Sequence, residues 1–105
     1  MFAHTPNPPY YAVIFTSILS DDNQGYAETA DLMVKLARQQ PGFLGMESAR
    51  EEVGITVSYW RTLDAIKAWK QQSDHAIAQQ KGRESWYQDF SVRISKVEHE
   101  YRLNK

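Results

Sequence analysis

His75 stands directly after Ser73-Asp74, a pair that reads as a fresh helix cap. At the first position of a new helix an imidazole meets unpaired N–H groups and positive partial charge, which suits a proton acceptor. His75 is therefore the expected catalytic base. Three tryptophans accompany it. Trp60 and Trp86 are expected as walls for a planar ring, being broad and amphipathic. Trp69 shares a helical stripe with Leu63 and Ile66 and is expected in the core. Ser17, Ser58 and Arg93 fall within strands, where each could hydrogen-bond a ligand oxygen. The Arg93 guanidinium suits a phenolate or a developing oxyanion. His4 and His99 lie in the terminal segments and are given no role.

Other chemistries find no support. There is no cysteine, so disulfides, thiolate metal sites and cysteine nucleophiles are excluded. The three histidines are far apart and none forms a helical pair, so no metal site is expected. No phosphate loop, nucleotide fingerprint or serine-nucleophile motif is present. The expectation is a protein with neither metal nor organic cofactor. The net charge of −1 and the lack of charge runs give no reason to expect nucleic acid or an anionic membrane as partner. Residues 1–9 have no signal-peptide core, and no apolar run is long enough to span a bilayer. A soluble, cytoplasmic protein is expected.

The elements that must position these residues follow in order. The 105 residues suit one domain. Residues 1–9 hold three prolines and form a flexible arm, 10–101 form the domain, and 102–105 a tail. Tyr10 to Ser20 is the first strand. Asp21, Asp22, Asn23 and Gly25 supply a turn and caps for a helix from Tyr26 to Gln40, with Tyr26, Ala30, Met33, Leu36 and Ala37 as its apolar stripe. Pro41-Gly42 ends it. Phe43 to Glu51 and Ile55 to Arg61 are close enough to form a hairpin. Thr62 caps a second helix, split at Ser73-Asp74 and ended by Gly82. Phe90 to Tyr101 is the last strand. The order is the ferredoxin-like βαββαβ unit, an α+β fold with an antiparallel sheet. The first and third strands carry apolar bulk on both faces. Tyr11, Val13, Phe15 and Leu19 oppose Ala12, Ile14 and Ile18; Ile55, Val57 and Tyr59 oppose Trp60. One helical layer covers one face, so the other is expected to meet a second copy of the chain.

Four stretches carry a family likeness: Pro41-Gly42-Phe43-Leu44-Gly45-Met46-Glu47-Ser48; Val57-Ser58-Tyr59-Trp60; Asp64 to Trp69 followed by Ser73-Asp74-His75; and Gly82 to Tyr87. With these, residues 10–101 resemble the antibiotic biosynthesis monooxygenase family, the dimeric α+β barrel group. The resemblance implies a homodimer whose sheets pack into a barrel, with a pocket in each subunit between sheet and helices. It implies oxidation of a small planar aromatic or quinol by O₂ without a cofactor. The alternative is a non-catalytic dimeric module that binds a small hydrophobic ligand or a protein partner. Haem-degrading relatives use an Asn on the first strand, a Trp after the third strand and a later His. Here Ser17, Trp69 and either Gln79 or Gln80 occupy those places, which departs from the haem pattern.

Overall fold

The computed structural model describes residues 2–78 and 86–103. Six elements follow one another: β1 (Tyr10–Leu19), α1 (Tyr26–Arg38), β2 (Phe43–Arg50), β3 (Gly54–Trp60), α2 (Leu63–Ala78) and β4 (Tyr87–Val97). The strands form one antiparallel sheet in the order β2-β3-β1-β4. This is the expected βαββαβ arrangement. Gln79, Gln80 and Gly82-Arg83-Glu84-Ser85 lie outside the described residues, and with them the expected helix end at Gly82.

Register assigns every strand residue to a face, because paired residues point the same way. Tyr11 pairs with Trp60, Val13 with Ser58, Phe15 with Thr56 and Ser17 with Gly54. This set faces the helices, since the Trp60 ring stacks on Trp69 of α2, 5.9 Å between centroids. Tyr10, Ala12, Ile14, Thr16 and Ile18 face the other way with Ile55, Val57 and Tyr59. The molecule is only 20 Å across its thinnest axis, the depth of one sheet and one helical layer. The second face therefore has no helical cover, and Ile18 and Ile55 stay exposed there.

The core lies where α2 packs on β3 and α1 on β2. Trp60 is fully buried, packed edge-on against Phe43 at 5.3 Å. Ala37 of α1 and Ile66 and Ala76 of α2 are buried as well. Leu63 departs from its expected place on this stripe. It sits in the first turn of α2 and is exposed, beyond the reach of β3. At the end of α1, Gly42 adopts φ 86°, and a Cβ there would stand 2.7 Å from the Ala65 side chain. Glycine thus both ends α1 and lets α2 approach.

Three local expectations need correction. First, α2 runs unbroken through Ser73-Asp74. The Ser73 hydroxyl donates back to the Lys70 carbonyl at 3.1 Å, and Asp74 pairs with Lys70 one turn earlier at 2.7 Å. Both side chains are satisfied inside the helix, so neither acts as a cap. Thr62 does cap, accepting from the Ala65 N–H at 3.0 Å. Second, α1 has no side-chain cap. Gly25, at φ 87°, holds the N-cap position, and Asn23 instead donates to the Ser20 carbonyl. Third, β4 begins at Tyr87, because the strand can pair with β1 as far back as Leu19 through a bulge.

Candidate functional site

At the far end of β1 the sheet carries a cluster of rings. Phe15 lies 5.5 Å from Tyr87 and 5.7 Å from Phe90, and those two lie 5.6 Å apart. Tyr26, the first residue of α1, stands edge-on to both Tyr87 and Trp86 at 5.8 Å. The bulge makes this possible. Ile18 pairs with Asp89 and Leu19 with Tyr87, so Gln88 is skipped. Without that extra residue Tyr87 would point to the uncovered face with Asp89. Trp86 is anchored from two sides. Its indole N–H donates to the Gln24 carbonyl at 2.9 Å, and its own carbonyl accepts from the Ser20 N–H at 2.8 Å.

One cation enters this cluster. Arg50 ends β2, opposite Gly54 of β3. Its guanidinium occupies the space that a side chain at Gly54 would fill. It reaches across to donate to the Ser17 hydroxyl on β1, and it lies 5.6 Å from the Tyr26 ring centroid. Ser17 is 1% exposed, and the guanidinium satisfies it. Among the described residues no carboxylate pairs with Arg50. Part of the Arg50 side chain remains open to solvent. A guanidinium held over an aromatic face, with donors that take no other partner among the described residues, has the chemistry to hydrogen-bond an anionic oxygen.

The expected site residues do not all converge. Ser17 and Trp86 belong to this cluster. Trp60 and Ser58 lie in the core, where the Trp60 indole N–H donates to the Ser58 hydroxyl at 2.9 Å. Both are buried, so they support the sheet and do not wall a ligand. Trp69 stacks on Trp60 but is only half-buried, at the edge of the core. His75 is exposed on α2, and the N-terminus of that helix is at Leu63, about three turns earlier. The argument for a base at a helix start fails with the missing break. Arg93 pairs with Ile14, hence on the uncovered face, where it is exposed and donates to the Ser91 hydroxyl at 3.1 Å. The candidate residue not expected from the sequence is Arg50. Its one signal was Gly54, a strand glycine directly across the hairpin, which marks a place where something else must pass.

Residues 9–81 match the family model described as Antibiotic biosynthesis monooxygenase. The chain belongs to this family. The uncharacterized protein YqjZ of Bacillus subtilis (strain 168) is 55% identical over 96 residues, covering 90% of this chain and 84% of that protein. Among solved structures, PA3566 from Pseudomonas aeruginosa superposes with a TM-score of 0.67 at 16% identity, over 93% of this chain and 99% of that one. SnoaB from Streptomyces nogalater, described as a cofactor-independent oxygenase, gives a TM-score of 0.64 at 10% identity, over 93% and 100%. At such identities the superpositions speak for the fold.

This monooxygenase-family chain also concentrates polar groups on its uncovered face. There the N-terminal arm and the C-terminal tail meet over Tyr10 and Tyr59. The Tyr10 hydroxyl donates to Glu100 at 2.8 Å, and the Thr5 hydroxyl donates to Glu100 at 3.0 Å. Arg102 donates to Glu100 and to the Ala3 carbonyl, both at 3.0 Å. The Tyr59 hydroxyl and the Ala3 N–H each donate to Glu47 at 2.9 Å. Burial raises the pKa of both tyrosines, and the neighbouring carboxylates raise them further, Tyr59 to about 12. The Tyr10 and Thr5 hydroxyls hold Glu100 below the usual carboxylate range. Both tyrosines therefore stay protonated donors at neutral pH. Among the described residues no group of three metal-ligating side chains converges, and no helix is long and apolar enough to cross a membrane.

Proposed function

We propose that this chain is a cytoplasmic, cofactor-independent monooxygenase that binds a small planar aromatic or quinol as its anion on the shelf formed by Arg50, Tyr26, Tyr87, Phe15 and Phe90, with buried Ser17 and Trp86 as their supports. The observation that carries this reading is the Arg50 guanidinium. It lies over the Tyr26 ring, is oriented by buried Ser17, and has no carboxylate partner among the described residues. The family membership and the description of SnoaB point the same way.

The chemistry needs little from the protein. An electron-rich ring anion reacts with O₂ directly. One electron passes to O₂, the two radicals join as a peroxide at a ring C–H carbon, and after protonation the O–O bond breaks with loss of water to leave the quinone carbonyl. The protein's part is to form and hold the anion. A guanidinium beside the ring oxygen lowers the pKa of the bound phenol, and the proton leaves to water. This replaces the expected His75 base with electrostatics. The ring cluster adds a flat apolar surface that fixes orientation and displaces water from the reacting carbon.

Oxygen uptake across a panel of hydroxylated naphthalenes and quinols tests the reading. A saturable rate above the spontaneous one is expected. Saturable binding of these rings with no uptake for any of them would leave the binding module as the function.

The homodimer belongs to the same proposal. Ile14, Ile18, Ile55 and Val57 share the face that no helix covers. A second copy packed there buries on the order of 2,000 Å² in total, the size of a stable interface. Light scattering after size exclusion is expected to give about twice the chain mass. A monomer at 100 µM would rule out the sheet-to-sheet interface.

A further inference from the structure

The terminal arm and tail enclose a cavity of ≈ 310 Å³ against the uncovered face of the sheet. Tyr10 and Tyr59 form its floor, their rings edge to face at 5.8 Å. Glu47 and Glu100 line it together with Arg102 and His99, and Phe2 stands exposed at its mouth. The roof is this chain's own Ala3 and Thr5. The cavity lies on the opposite face of the sheet from Arg50, so it is separate from the shelf; it shares the uncovered face with the proposed dimer contact, at the end that the chain's own arm and tail cover.

We propose that this cavity binds a small organic cation, an alkyl or arylalkyl ammonium. Charge is the first reason. Arg102 pairs with Glu100 at 2.9 Å, which leaves Glu47 the uncompensated charge. Glu47 takes one hydrogen bond on each oxygen, from Tyr59 and from Ala3. Both donors are neutral, and among the described residues no cation stands within ion-pair distance of it. A carboxylate with two donors retains free lone pairs for a third. The second reason is the aromatic floor. Two tyrosine rings beside a carboxylate make the surroundings that recognise an ammonium group, through ring quadrupole and charge together.

Other occupants fit less well. An anion would face two carboxylates, with the one nearby guanidinium already committed to Glu100 and the Ala3 carbonyl. A divalent metal fits less well, since among the described residues no three potential metal-ligating side chains converge. The cavity volume is also roughly ten times that of one water, about 30 Å³, so it suits an organic group.

The test is a titration of the full chain with 2-phenylethylammonium, 3-phenylpropan-1-ol and 3-phenylpropanoate, followed by NMR of the tyrosine rings and by calorimetry. The ammonium is expected to bind, to shift the Tyr10 and Tyr59 signals, and to bind at least about tenfold more tightly than the alcohol or the acid. Its affinity should fall with added salt. Glu47→Gln keeps the shape and removes the charge, and should weaken the ammonium about tenfold. Val97→Phe fills the cavity from β4 without touching either carboxylate, and should abolish binding in a folded protein. Arg50→Gln, on the other face, should leave ammonium binding unchanged while oxygen uptake falls. Equal affinity for ammonium and alcohol, unchanged binding in Glu47→Gln, or no shift of either tyrosine would overturn the proposal. Should Glu47→Gln fail to fold, the ligand series on the natural chain and Val97→Phe still decide it.

Discussion

Trp60→Ala is expected to lose about 3–5 kcal/mol of stability, a large part of the roughly 5–15 kcal/mol that holds a domain together. Trp60 is fully buried where α2 packs on β3. Phe43 and Trp69 pack on its ring, and Ser58 accepts its indole N–H. Truncation opens a cavity between two large rings that α2 cannot close without moving. It also leaves the buried Ser58 hydroxyl without its partner, an added penalty beyond the lost apolar surface. Chemical denaturation followed by far-UV circular dichroism would measure the loss. Trp69→Ala should cost less, since Trp69 is only half-buried. A Trp60→Ala variant as stable as the natural chain would mean that the core lies elsewhere.

Arg50→Gln is expected to lower kcat/KM for an ionisable ring substrate by about 10²–10³-fold, the usual result of removing one donor from a developing oxyanion. The pH profile separates this role from a structural one. With Arg50 present, the guanidinium lowers the pKa of the bound phenol, and activity should persist below the pKa of the free substrate. Without it, the rising limb should move to higher pH, towards the free value. Ser17→Ala should give a smaller loss with the same direction of shift, because it frees the guanidinium without removing it. Thermal unfolding of all three proteins checks that the fold persists. An equal rate and an unmoved profile in Arg50→Gln would remove the residue from the mechanism and with it the oxygenase shelf.

Much of this fold was legible from local pattern. The apolar stripe of α1, the Pro41-Gly42 stop, the Thr62 cap and the β2–β3 hairpin each rest on residues within one or two turns of chain. Such signals are written in sequence because their physics is short-range. The family likeness followed from the same segments. The two-sided character of β1 was also visible, since alternation alone places Ile14 and Ile18 opposite Val13 and Phe15.

The site was less legible, and the reasons differ by residue. Ser73-Asp74 is ambiguous in one dimension: the same two side chains cap a helix or continue one. Here Lys70 and its carbonyl, one turn back, decide for continuation. Trp60 was broad enough for a ligand wall, but α2 packs over it and turns the same surface into core. Arg93 lies in a strand, where alternation alone does not say which face the helices cover, and the β1–β4 register put it on the uncovered one.

What the sequence determined by itself was the kind of elements, their order and the family, because hydrophobic period, caps and turn residues act over a few positions. What only the tertiary structure decided was convergence. Arg50 meets Ser17 across 33 residues of chain, and Thr5 meets Glu100 across 95. Neither meeting has a local signature. Each depends on strand register, on one bulge near Gln88, and on a glycine at position 54 that yields its space to the guanidinium. These are properties of how the elements pack, and packing is where this chain acquires both its cationic shelf and its acidic cavity.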